Sequence, residues 1–487
     1  MLYTTPWGTG TGFDQGTYIG AARNLLAGRG LAIPWGITAG QQVTHFPPLF
    51  PVALAAIGTL GPDPWEAARY LNAVLRATNV LAGALLAARL APGARLAPPL
   101  AGGLLLVSVQ MEFVHGSAWS EPLFLSLLSA SLWLLARHLA GGSQRALVGS
   151  AGLGALALLT RYAGLALVLS GLAVLAWQSH GWRQRLGRMA VYAGLSLAPL
   201  ALWVARNALV ADSLVGDRQI GWQDVSRAQL MQGLSTVFDW VLPSSLVARL
   251  VSPEGVISRP GLALLGLLVV GLVWWARREG RLALPAESAV LRTVLLHFSV
   301  IYPLCVVLSI TAFDHLTQLD SRILSPVYLC LVALLSASAV RSPRVPVAAV
   351  IVALLLVSSA RFALVVQRAH TDGIMYSNVL WLTSPTMRDV QRLPGTTNVF
   401  SNAPDAIYIL ARRNAYQIPD AAQAGQLVTT IHDVVRRQPG PVLLAYFDDP
   451  NIAYRNPVPP SALETAFSVR LLVRTTDGSL YEVVDGQ

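Results

Sequence analysis

The chain of 487 residues contains no lysine; all 35 of its basic residues are arginine. Such usage fits a GC-rich coding sequence and carries no mechanistic weight. Cysteine is nearly absent too. The two present, Cys305 and Cys330, both lie in apolar stretches, which excludes a disulfide framework and a cysteine-based metal centre and leaves them as small core residues. Charge is scarce: 12% of residues are ionised at neutral pH, against roughly a quarter in soluble domains. With 54% hydrophobic residues and a mean hydropathy of +0.53, that scarcity excludes an ordinary cytosolic enzyme and a disordered chain. A single-span receptor is excluded because apolar runs recur across most of the first 366 residues. No internal repeat or low-complexity tract is evident. The composition is that of a polytopic α-helical membrane protein.

A net charge of +10 and a pI near 10.0 would suit a nucleic-acid binder, but the arginines gather in short loops between apolar runs. That is the positive-inside pattern, and it removes the reason to invoke nucleic acid. About 20 apolar residues cross the hydrocarbon core. The rule predicts spans over 70–91, 97–113, 120–139, 145–160, 163–179, 190–208, 260–277, 290–313, 323–340 and 344–366. Loops holding Arg89 and Arg95, Arg137 and Arg145, Arg183, Arg185 and Arg188, Arg277, Arg278 and Arg281, and Arg341 and Arg344 alternate with arginine-poor turns. The basic loops are expected in the cytoplasm, and the turns near 113–120, 161–163 and 314–322, with the long 209–259 loop, outside it.

By this parity residues 1–69 form a first external loop, with 47–61 as a juxtamembrane or re-entrant helix, and 70–366 form the membrane domain. No leading span carries the first loop across, so a missing first helix is expected upstream. The tail, 367–487, carries more and roughly balanced charge. Short β-branched runs at 398–402, 442–447 and 469–473, with a helix-like 404–413 between, predict an extracytoplasmic α/β domain.

Ionisable groups at membrane depth are costly and default to functional candidates. Here they gather at the external ends of spans: Asp14, Glu112, His115, Glu121, Arg161, Arg206, Asp314, His315, Asp320 and Arg322. Polar span ends are also what any helix shows where it meets water. The one-sidedness argues further, since the inner ends carry arginine almost alone. Carboxylates can take a proton from a hydroxyl, and arginines can clamp a phosphate. A donor with both a phosphate and a membrane anchor would place such a site at the bilayer edge.

The segments FDQGTYIGAARNLLAGRGL, HFPPLFPVALAAIGTLG and AARYLNAVL resemble the first external loop of the GT-C-fold glycosyltransferases, which include the protein O-mannosyltransferases (glycosyltransferase family 39) and the aminoarabinose transferases of lipid A. SEPLF (120–124), LLTRYAGLAL (158–167), WVARNALV (203–210) and DSRILSPVY (320–328) extend the resemblance in order across the membrane part. It implies an inverting transfer of a sugar from a polyprenyl-phosphate-linked donor to a hydroxyl of a glycan, lipid or protein. The site and the tail would face outward from a plasma or bacterial inner membrane. Asp14 matches the family's loop aspartate, the catalytic base, and Glu121 its acidic residue at a later outer span end, placed near a metal or the acceptor, so the resemblance implies both as catalytic residues. Arg161 and Arg322 match arginines assigned to the lipid phosphate or scaffold. Arg206 joins them as a substrate-binding candidate, and Tyr18 and His45 flank the cavity by analogy. Gln15 stands where some members carry a second acid, so a paired-carboxylate metal site is in doubt. If a divalent cation such as Mg or Mn serves as cofactor, Asp14, Glu121 and His115 are its candidate ligands.

Each residue has a structural competitor. Asp14 could cap a helix starting at Gln15. Glu121, just before Pro122, could simply favour a helix dipole. Arg161 could snorkel to the interface, and Arg322 could pair with Asp320. At the level of the chain the competitors are a secondary transporter or lipid flippase, disfavoured by the lack of repeated halves, and a non-catalytic scaffold.

Overall fold

Long apolar stretches can cross lipid only if the backbone satisfies its own hydrogen bonds, and a helix does this within one segment. The computed structural model describes residues 1–485 apart from 178–180, 212–213, 215, 217–220, 252–256, 259–260, 263–265, 267–283, 316, 342–344 and 450–455. It divides into two compact units. One comprises residue 1, 44–50 and 71–367, the other 2–43, 51–70 and 368–487.

Six helices of the described residues are long and apolar enough to cross a membrane: Pro64–Leu90, Glu121–Gly141, Trp182–Ala211, Ala286–Ala312, Ser321–Arg341 and Ala348–Asp372. A seventh crossing is possible if Ala97–Leu106 and Val109–Gly116, bent by 57°, count as one. The bend has a local cause: Ser108 accepts a bond from the Met111 amide and starts a new helix inside the expected 97–113 span. Among the described residues, length and composition thus do not confirm the ten expected crossings. The expected 145–160 and 163–179 spans are the short helices Gln144–Thr160 and Leu165–Ala176, parted by a break at Arg161. The expected 260–277 span, with its arginine loop, lies outside the described residues. The stretch 47–61 contains the helix Leu49–Gly58, and the 209–259 loop carries the helices Arg227–Asp239 and Ser244–Leu250.

The core of the first unit joins Leu90, Leu105, Phe124, Leu128, Leu167, Tyr192, Phe298, Tyr302 and Leu329. Between Glu121–Gly141 and Gln144–Thr160 small residues bring the backbones together, since lipid supplies no hydrophobic drive for helix association. The Ser131 and Ser150 hydroxyls each donate to the other residue's carbonyl at 2.9 Å. The two helices reverse at Gly142, whose φ of 71° suits glycine.

In the second unit a five-stranded sheet has the order β2-β1-β3-β5-β4, with β1 Asn398–Ser401, β2 Tyr416–Gln417, β3 Val442–Phe447, β4 Phe467–Arg474 and β5 Gly478–Asp485. β2, β1 and β3 run parallel, linked by the helices Pro404–Ala411 and Ala424–Arg437, while β3-β5-β4 is antiparallel. β1 and β3 are buried along their whole length, as interior strands of such a sheet must be. The three expected strands and the helix near 404–413 are present; β5 and the helix Ala424–Arg437 were not singled out in the sequence. Residues 2–43 and 51–70 belong to this unit and include the helix Phe13–Leu26.

Candidate functional site

In the first unit Glu121 is the first residue of the Glu121–Gly141 helix and only 2% exposed. Arg161 reaches it from the break after Gln144–Thr160, where an extended backbone ends one helix before the next begins. Arg161 Nη1 stands 2.6 Å from Glu121 Oε1 and donates to the Ser120 hydroxyl at 3.1 Å. The Arg161 head thus turns to a buried carboxylate. Arg322, in the first turn of Ser321–Arg341, brings Nε to 3.5 Å from the same oxygen. Its guanidinium carbon lies 3.9 Å from the centroid of the Trp119 ring, a cation–π contact. Asp320 accepts the Ile323 amide at 2.9 Å and so caps this helix. The structure brings Glu121, Arg161 and Arg322 together as one buried charged cluster.

A second group adjoins it through Tyr162, the neighbour of Arg161. The Tyr162 hydroxyl donates to the Thr44 carbonyl at 3.2 Å and accepts the Trp203 indole at 3.2 Å. Arg206 lies 4.7 Å over the Trp203 ring and donates to Asn207 at 3.1 Å. His45 follows Thr44 and packs edge-on to Phe46. The candidates His45, Arg161 and Arg206 thus belong to one connected set of contacts.

His115 is elsewhere occupied. It is fully buried, with Nδ1 2.7 Å from the Met111 carbonyl and Nε2 3.0 Å from the Asn79 amide nitrogen, so neither ring nitrogen is left for a cation. With Glu121 gripped by guanidiniums, two of the three candidate cation ligands fit a metal poorly. Among the described residues no three His, Cys, Asp or Glu gather as a cation site.

Several buried polar residues escaped the sequence reading. Asn72, Arg76 and Asn79 line one face of Pro64–Leu90 and bond to Ser117, Leu106 and Pro122 carbonyls, with Arg76 3.6 Å from Glu112. Their signal was polar residues at i, i+4 and i+7 inside an apolar helix. Arg361, within the last span, donates to the Asp239 carbonyl and carboxylate, both at 2.8 Å, and Gln110 donates to the same two groups of Asp239. An unpaired charge in an apolar run was the available clue. Asp239 also lines a cavity of about 430 Å³ with Met231, Ser235, Thr236 and Ser321.

In the second unit, Gly12 occupies the cap position of Phe13–Leu26 and Asp14 is the second helical residue. The helix-capping alternative for Asp14 therefore fails, although an acid in the first turn still suits the dipole. Asp14 is half-buried and Tyr18, on the same helix, is buried. At the other end of this helix Arg23 forks onto Asp63 at 2.8 and 3.1 Å, and Arg412 reaches Asp63 at 3.2 Å. Burial alone would push the Asp63 carboxyl up, but the Arg23 hydrogen bonds and charge hold it below the usual range.

No protein-family model and no curated protein matches the chain. Solved structures do. The crystal structure of ArnT from Cupriavidus metallidurans bound to undecaprenyl phosphate superposes with a TM-score of 0.60 at 14% identity, covering 98% of this chain and 95% of that one. The oligosaccharyltransferase of Archaeoglobus fulgidus in the apo form gives 0.53 at 11% identity, over 98% and 71%. The archaeal oligosaccharyltransferase AglB in complex with an inhibitory peptide and a dolichol-phosphate gives 0.52 at 12%, over 98% and 71%. These are GT-C-fold proteins, and the chain has that fold: membrane helices followed by a smaller sheet domain.

Proposed function

We propose that this protein is an inverting membrane glycosyltransferase that uses a polyprenyl-phosphate-linked sugar. The acceptor hydroxyl gives its proton to the Asp14 carboxylate as its oxygen bonds to the anomeric carbon from the face opposite the phosphate. The bond from that carbon to the phosphate oxygen breaks, and the polyprenyl phosphate leaves with the bonding electrons. Arginines suit the leaving group because they stay charged at every working pH and offer paired donors to phosphate oxygens. Arg161, Arg322 and Arg206 take this role, with His45 and Tyr18 as lining residues. Glu121 orients Arg161 and Arg322 in advance, so little reorganisation accompanies charge development on the phosphate. No step is routed through a metal ion.

The observation that carries the reading is the grip of one buried carboxylate on two guanidiniums, in a fold shared with a protein crystallised with undecaprenyl phosphate. The site and the sheet domain face the extracytoplasmic side, as the arginine loops support. The acceptor is a glycan, a lipid or a protein.

The test is mass analysis of glycans and lipids in a deletion strain carrying the wild-type chain or Asp14→Asn. The variant should lower product by about 10²–10⁴-fold, the scale of a positioned base, at unchanged membrane abundance. Wild-type product from Asp14→Asn removes Asp14 from the mechanism. Movement of labelled lipid across liposomes without sugar transfer favours the transporter or flippase instead.

A further inference from the structure

Asp14 sits in the first turn of Phe13–Leu26, and the groups that fix this helix come largely from the far end of the chain. On one side the helix has no room for side chains. A Cβ at Gly20 would stand 2.3 Å from Pro34 and 3.0 Å from Tyr408, and one at Gly16 2.9 Å from Trp35 and 3.7 Å from Ile409. Trp35 in turn packs on Tyr408, with ring centroids 5.3 Å apart. Tyr408 and Ile409 belong to the helix Pro404–Ala411, whose cap residue Arg412 joins Arg23 on Asp63. Arg23 also lies 5.5 Å over the Tyr408 ring.

The segment entering the Asp14 helix is held by the same element at one remove. The Tyr376 amide donates to the Thr11 carbonyl at 3.2 Å, the Ser377 hydroxyl donates to the Thr9 carbonyl, and Gln15 donates to the Met375 sulfur at 3.7 Å. The 373–377 turn that makes these contacts has two left-handed residues, Gly373 at φ 78° and Met375 at φ 52°. A non-glycine residue keeps such a conformation only when its surroundings impose it. One restraint is visible: the Tyr376 hydroxyl donates at 3.0 Å to Asp405, which is 4% exposed in the first turn of Pro404–Ala411. One short helix thus grips the Asp14 helix through Tyr408, Ile409 and Arg412, and its lead-in through Asp405 and Tyr376.

We propose that Pro404–Ala411, with Arg412, is a positioning element for Asp14, and that Asp63, Arg412, Tyr376 and Asp405 are positioning residues. The sheet domain then sets the geometry of the base rather than serving only as a docking module. This rests on the reading of Asp14 as the base. Misplacing a reacting group by about 1 Å can cost about 10²-fold in rate, so a loosened seat should show in turnover without changing donor binding.

The test uses the full chain in nanodiscs with Asp63→Asn, and Tyr376→Phe as the milder change should the first fail to accumulate. Hydrogen exchange over 13–26 should rise and product in the deletion strain should fall by up to about 10²-fold. Retention of undecaprenyl phosphate by native mass spectrometry should match wild type, and Asp63→Glu should recover part of the product. Unchanged exchange over 13–26 overturns the proposal, as does raised exchange with full product. Asp14→Asn, run alongside, separates the two readings. If it leaves product intact, the base assignment fails and the positioning role goes with it. If it abolishes product while Asp63→Asn does not, only the seat is wrong.

Discussion

Arg161 Nη1 and Glu121 Oε1 meet at 2.6 Å, one from a helix break and the other from the first residue of a membrane helix. Both side chains are largely withdrawn from solvent, the carboxylate almost completely. Breaking a buried pair by neutralising one partner costs about 3–5 kcal/mol, because the other charge is left uncompensated. Glu121→Gln should therefore lower the apparent melting temperature in detergent sharply. Adding Arg161→Gln should cost less than the sum of the two single changes. Additive losses would mean that the two groups are not coupled.

Arg361 and Asp239 make a similar tie between the last span and the loop helix Arg227–Asp239. Arg361 donates from two nitrogens to two different acceptors, a geometry that the single ammonium of lysine does not reproduce. Arg361→Lys should keep part of the stability, and Arg361→Ala should lose about 1.5–3 kcal/mol, the range for hydrogen bonds to a charged group. Equal melting temperatures for the two variants would contradict the forked contact.

Gly171 is the point where Leu165–Ala176 meets the buried ring of Tyr192. A Cβ there would stand 2.5–2.6 Å from ring and hydroxyl atoms. Gly171→Ala must displace Tyr192 and should destabilise by about 1–3 kcal/mol, the usual cost of overpacking. Gly152→Ala, with nothing within 4 Å, is the control and should be nearly neutral. Thermal unfolding of both variants checks the difference.

Two carboxyls of the second unit titrate in opposite senses. Burial pushes Asp405 up to about 6, with the Tyr376 hydrogen bond only partly opposing it. A raised carboxyl contributes stability below its unfolded value and loses it as pH climbs through the folded one. Asp405→Asn should therefore gain more over wild type at about pH 7 than at about pH 5. Asp63 is held low by Arg23, so its contribution is present above the unfolded value of about 3.9 and is lost on acidification. The penalty of Asp63→Asn should shrink below about pH 4. Melting curves of the full chain across this range give both signs.

Composition and periodicity made the class of this protein legible. Apolar runs dictate helices wherever water is excluded, and β-branched runs such as VLLAYF dictate interior strands, so the division into membrane helices and a sheet domain could be read residue by residue. Glu121, Arg161 and Arg322 stood out for a related reason, since a charge at the end of an apolar run is expensive enough to be conspicuous, whereas Asp14, in the first loop, was marked by the resemblance of its segment. Crossing number was less legible, because hydropathy does not report Ser108 starting a new helix or Arg161 ending one.

Partnership was not legible at all. That Glu121 faces two arginines, that both His115 nitrogens are engaged, and that residues 9–26 fold onto the turn at 373–377 and the helix at 404–411 depend on contacts between segments far apart in the chain. Local propensity has no term for such contacts. Side chains declare which charges must be satisfied, but only packing in three dimensions decides by whom.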